Sequence, residues 1–102
     1  MTPEQMNEVI NKYIDVPVLF KFYNPWCGPC KILTPIVEDI SNIFGNKIKV
    51  FNIDADLWPD VADKHNVMGT PTLILYKDSV EKARFTGLLT KEFLIDMITR
   101  NL

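Results

Sequence analysis

The stretch from Phe22 to Pro35, FYNPWCGPCKILTP, holds both cysteines of the chain, Cys27 and Cys30, around a Gly-Pro pair. Just ahead of them, Val18 to Tyr23 is apolar at every position except Lys21. A run apolar at successive positions suits a central strand buried on both faces. Asn24-Pro25 stops it, because the residue before a proline is held out of helical geometry. Behind the cysteines, Ile32, Leu33, Ile36, Val37, Ile40, Ile43 and Phe44 recur at helical spacing. Pro35 inside that stripe predicts a bend, and Gly45-Asn46 ends the helix. The cysteines thus lie between the C-terminal end of a central strand and the N-terminus of a long helix, where open α/β sheets place their ligands.

Two thiols at this spacing can hold a metal, staple the chain, or exchange electrons. A structural zinc takes about four ligands, and beyond one C-x-x-C the chain offers a single histidine, His65. A bridge from Cys27 to Cys30 closes too short a loop to remove much entropy from the unfolded chain. A redox pair is favoured by elimination. A helix N-terminus supplies unpaired N–H groups and a positive dipole end, both of which stabilise a thiolate, the reactive form of cysteine. Cys27 is expected exposed at the tip as the attacking thiol. Cys30, one turn in, is expected shielded as the thiol that resolves the mixed disulfide. Gly28 and Pro29 fit the first turn, where proline loses no helical hydrogen bond.

Outward from this core, Thr2-Pro3-Glu4-Gln5 carries a capping-box signature, and Met6, Val9, Ile10, Tyr13 and Ile14 predict a helix over about 3–14. Ile48 to Ile53 reads as a second strand, flanked by Lys47 and Lys49 as on a protected sheet edge. A short helical piece around Val61 and Ala62 follows Pro59. Thr72 to Tyr76 and Val80 to Phe85, joined through Lys77-Asp78-Ser79, form a hairpin. Thr90 caps a last helix with Phe93, Leu94, Met97 and Ile98 inward. The order is α-β-α-β-α-β-β-α. The first two strands, joined by a helix, are expected parallel, and the hairpin makes the sheet mixed. The 102 residues fit one domain, 1–102.

Composition narrows the function. A net charge of −2 with interspersed acids and bases argues against nucleic-acid binding. No run is long enough for a membrane span, and the N-terminus lacks the basic and apolar regions of a secretory signal.

WCGPCK (Trp26 to Lys31), Pro35, NID (Asn52 to Asp54), VMGTPT (Val67 to Thr72) and Gly87 together resemble the thioredoxin family. The resemblance runs from about Val16 to Leu102. It implies a thioredoxin-like α/β fold with helices on both faces of a four-stranded mixed sheet, the family's first strand being absent. It also implies a cis Thr70–Pro71 bond facing the cysteines. The backbone of Thr70 would pair with an extended substrate segment, and Trp26, Gly28, Pro29, Thr70, Pro71, Gly87 and Leu88 would form an apolar docking rim. Gly-Pro between the cysteines points to the reducing branch of the superfamily.

In two respects the chain departs from that pattern, the absent first strand being one and the residue beneath the cysteines the other. Lys21 stands where the family has a buried aspartate, and Val50 where it often has a lysine. Lys21 either tunes the thiols, as a cation or as a neutral proton acceptor, or snorkels out or pairs with an acid such as Asp54 or Asp56. Trp26 is expected to pack functionally beside the pair, and Trp58 to anchor a loop. Tyr23 is expected in the core with its hydroxyl on Asp54 or a neighbour. The reading is a cytoplasmic, monomeric protein disulfide reductase in cellular redox homeostasis, needing no cofactor or metal. It takes electrons from a thioredoxin reductase and passes them to disulfide-containing target proteins. The competing readings are a glutaredoxin-like enzyme coupled to glutathione and a non-catalytic binding subunit.

Overall fold

The computed structural model describes residues 1–102. Its elements are α1 (Pro3–Lys12), β1 (Val18–Tyr23), α2 (Gly28–Phe44), β2 (Lys49–Asp54), α3 (Pro59–Lys64), β3 (Thr72–Lys77), β4 (Val80–Thr86) and α4 (Lys91–Thr99). The sheet order is β2-β1-β3-β4. β1 runs parallel to β2 and antiparallel to β3, and β3 and β4 form an antiparallel hairpin. Asp78 and Ser79 both take positive φ, as a two-residue hairpin turn requires to match strand twist. β2 is an edge strand, and Lys49 at its start, with Lys47 just ahead of it, stands where a sheet edge needs protection.

β1 is central, and its alternation divides the core in two. Leu19 joins Leu33, Val37, Ile40, Leu73, Leu75, Leu94 and Ile98 under α2 and α4. Val18, Phe20 and Phe22 join Met6, Ile10, Ile53, Val61, Ile74 and Tyr76 under α1 and α3. Helices therefore cover both faces, which is why β1 reads as a continuous apolar run.

Thr2 and Gln5 form the capping box of α1, and Thr90 caps α4 through the Phe93 N–H. Helix α1 stops earlier than periodicity suggests. Tyr13 is its C-cap and Ile14, after it, is 47% exposed. Ile32 and Ile43 edge the stripe of α2 and remain exposed, since only its centre meets the sheet. Phe93 is likewise exposed, against expectation. It packs edge-on against Phe85, with ring centroids 5.1 Å apart, instead of entering the core. Gly45, at φ +54°, closes α2.

One partly buried corner is expected to make stability depend on pH. The Nδ1 of His65 lies 3.3 Å from the Tyr76 hydroxyl, and its Nε2 is buried without a partner. Burial, with Lys64 and Arg84 nearby, holds its pKa below the usual histidine value, opposed only by Glu81. Above about pH 6.5 the imidazole is neutral in both folded and unfolded chains. Below it the unfolded chain takes up a proton that the folded one resists, so stability falls as the pH falls. Urea denaturation midpoints are expected to drop from pH 7 to 5, and His65→Gln to flatten that slope. An identical slope in the variant would place the titrating group elsewhere.

Candidate active site

Tyr23 ends β1, and four loop residues carry the chain to α2. Cys27 is the N-cap of that helix. Its Sγ accepts the Cys30 N–H at 3.1 Å, in the manner of a capping oxygen. Pro29 occupies the first turn and leaves no helical bond unmade. Cys27 and Cys30 are joined as a disulfide, their Cα atoms 5.2 Å apart. Cys27 is 9% exposed and Cys30 3%. Cys27 is thus the more accessible sulfur, but less open than its place at the helix tip suggested, because its side chain folds back over the first turn.

Three loops meet at the pair. The Thr70–Pro71 bond is cis. The Gly87 N–H donates to the Pro71 carbonyl at 2.9 Å, so the end of the hairpin holds the proline loop. Gly87 has φ +100° and open space where a side chain would stand, which leaves room for a partner backbone. Asn24 links the loops: its Nδ2 donates to the Thr70 Oγ1 at 3.1 Å, and its carbonyl accepts the Cys27 N–H at 3.3 Å. Nothing local in the sequence pairs Asn24 with Thr70, 46 residues away. Asn24→Ala is expected to weaken kcat/KM for a protein disulfide by about fivefold, as loss of one positioning hydrogen bond does. The redox equilibrium of the pair should stay unchanged. A shifted equilibrium with normal kcat/KM would refute the positioning role.

Trp26 is 87% exposed, so it stands out into solvent instead of packing over the pair. Met68, 95% exposed, and Leu88, 52% exposed, add to the exposed apolar side chains of the adjoining loops. Met68 carried no sequence signal of its own.

Lys21 neither snorkels nor meets Asp54 or Asp56. It is 4% exposed and donates from Nζ to the Thr34 Oγ1 at 2.8 Å. Burial lowers its pKa from the usual lysine value, and Glu38 partly offsets this. The Asp54 carboxylate instead accepts the Asp56 and Leu57 N–H groups of its own loop. It is therefore not the partner of the Tyr23 hydroxyl either. Trp58 does anchor a loop, packing against the α1/α3 core just before α3. No three His, Cys, Asp or Glu side chains converge as a metal site would require.

A vicinal cysteine pair at a helix N-terminus, on a sheet of this topology and beside a cis-proline loop, defines a thiol–disulfide oxidoreductase. The chain belongs to the thioredoxin family, whose family model, Thioredoxin, matches residues 1–100. It is 39% identical over 88 residues to a thioredoxin of Rickettsia bellii, covering 86% of this chain and 84% of that one. It is 41% identical over 88 residues to thioredoxin Y1, chloroplastic, of Arabidopsis thaliana, covering 86% of this chain. It spans about half, 51%, of that longer protein. The thioredoxin structure of Fasciola hepatica superposes with a TM-score of 0.90 at 29% identity, covering 99% of this chain and 95% of that one. Members of this family act through their own cysteine pair, without a bound cofactor.

Proposed function

We propose that the chain is a general protein disulfide reductase, recharged by a thioredoxin reductase and working as a cytoplasmic monomer. The observation that carries this reading is the Cys27 sulfur capping α2. On reduction, the Cys30 N–H and the helix dipole face a Cys27 thiolate and stabilise it. That thiolate attacks one sulfur of a target disulfide. The target S–S bond breaks, its second sulfur leaves as a thiolate that takes up a proton, and a mixed disulfide forms on Cys27. Cys30 then loses its proton and attacks the Cys27 sulfur. The remaining target sulfur leaves, the Cys27–Cys30 disulfide closes, and two electrons have passed to the target. A reductase returns two electrons and two protons.

Supporting the docking step, Thr70 is half-buried ahead of a buried Pro71, and Gly87, whose N–H holds the Pro71 carbonyl, has open space where a side chain would stand, suited to an extended target backbone. Supporting the cytoplasmic location is the reducing role itself, which needs a compartment that keeps thiols reduced. The test is recycling of the oxidised chain during reduction of insulin disulfides. Turnover with NADPH and a flavin-dependent thioredoxin reductase, and little with glutathione and its reductase, is the expected outcome. Efficient glutathione recycling instead would favour the glutaredoxin-like reading.

A further inference from the structure

Lys21 is the only buried charged side chain in the protein. It sits on β1, on the α2 face of the sheet, in a polar groove of about 620 Å³ that opens to solvent. The Lys21 Nζ donates to the Thr34 Oγ1 at 2.8 Å, and the Thr34 hydroxyl donates to the Cys30 carbonyl at 3.0 Å. Two hydrogen bonds therefore join a buried amine to the peptide group of the resolving cysteine.

An ammonium keeps its charge inside a protein only where its donors find acceptors. Here one donor goes to Thr34, the Tyr23 ring face lies 5.7 Å from Nζ, and Glu38 faces the same groove from α2. The other neighbours carry no charge. On β2 the register partner is Asn52, on β3 it is Leu73, and α4 turns Leu94, Met97 and Ile98 inward. The groove itself is open to solvent beside these residues. The surroundings suit a single retained positive charge, with Glu38 and Tyr23 the titratable groups beside it.

We propose that Lys21 is a positioning residue for the redox step: its ammonium, coupled through Thr34 to the helix turn bearing Cys30, stabilises the Cys30 thiolate and with it the reduced pair. The inference rests on the disulfide-reductase reading and names what favours loss of the Cys30 proton in it. In the resolving step, Cys30 gives its proton to solvent, and the thiolate attacks the Cys27 sulfur under the field of a nearby cation. A positive charge favours an anionic product over a neutral disulfide. Removing it makes the pair more reducing and its resolving thiol harder to ionise.

The test is thiol titration of the reduced protein, read by cysteine ¹³Cβ shifts, with equilibration of the pair against a dithiol buffer above neutral pH. Lys21→Met is expected to cut the Cys30 thiolate fraction about tenfold at fixed pH. It should also move the redox equilibrium about tenfold toward the disulfide, equivalent to about 30 mV for a two-electron couple. Lys21→Arg, which keeps the charge, should restore both, and Thr34→Val should give part of the shift. Changes under twofold in a folded Lys21→Met would overturn the proposal. Should that variant not fold, wild type suffices. By reciprocal linkage the Lys21 amine must itself titrate higher once the pair is a thiolate than when it is a disulfide. Equal Lys21 titration in the two redox states would also overturn it. These measurements need no turnover, so inactivity toward insulin would count against the reductase reading alone.

Discussion

Cys27→Ser is expected to lower protein disulfide reduction by at least about a thousandfold, because serine at neutral pH offers no thiolate to begin the exchange. Cys30→Ser should stop turnover just as fully but at the other half-reaction. Cys27 can still attack, so a mixed disulfide with one equivalent of target accumulates. On a non-reducing gel, Cys30→Ser should show a target adduct that dithiothreitol removes, and Cys27→Ser should show none. The asymmetry follows from accessibility, since Cys27 caps the helix and Cys30 lies one turn below it, nearly closed off. An adduct formed through Cys30 in Cys27→Ser would reverse the assignment. Undiminished function in cells of the double variant Cys27→Ser, Cys30→Ser would favour a non-catalytic binding role for the fold in that setting.

The largest expected loss of stability belongs to Phe20→Ala. Phe20 is fully buried on the central strand. Its ring stacks on Phe51 at 5.6 Å and meets Tyr76 edge-on at 5.8 Å. It thereby ties β2, β1 and β3 together under α1 and α3. Truncating a buried phenylalanine costs about 3–5 kcal/mol, from lost transfer energy and the cavity left behind. A domain of this size holds about 5–15 kcal/mol in all, so the variant should melt about 15 °C or more below wild type. A loss under about 1 kcal/mol by chemical denaturation would show that this core collapses freely around the gap. Both predictions begin at β1, which supplies the central packing layer and ends at the cysteine pair.

Much of the architecture was legible in local patterns. The run from Val18 to Tyr23 marks a strand covered on both sides, and the stripe from Leu33 to Phe44 marks a helix on one of them. Thr2 and Thr90 announce helix starts through side-chain oxygens that meet N–H groups only three residues on. Lys77-Asp78-Ser79 marks a turn between two strand-like runs, and in the structure Asp78 and Ser79 take positive φ there. Such signals act over a few residues, and the chain carries them in its order. The position of the cysteines between strand and helix follows from the same local grammar. The cis bond at Pro71 came from family resemblance, since the residues themselves favour trans.

The errors fall where distant segments decide the outcome. Phe93 has the periodicity of an inner residue, but the line along which α4 crosses β4 leaves it on the rim beside Phe85. Asp54 is close in the sheet to Tyr23, yet its carboxylate is taken by the N–H groups of its own loop. In sequence, Lys21 is an unexplained charge in an apolar strand. Thr34 becomes its partner only because the parallel crossover lays α2 over β1 in one register. Asn24 and Thr70 meet only because β3 returns antiparallel beside β1 and brings the proline loop to its end. The elements, their order and the redox pair are readable in short windows, because periodicity, caps and turns are short-range physics. Which polar groups gather around that pair emerges only from the folded arrangement, because hydrogen bonds across elements depend on register and crossing geometry that no local window contains.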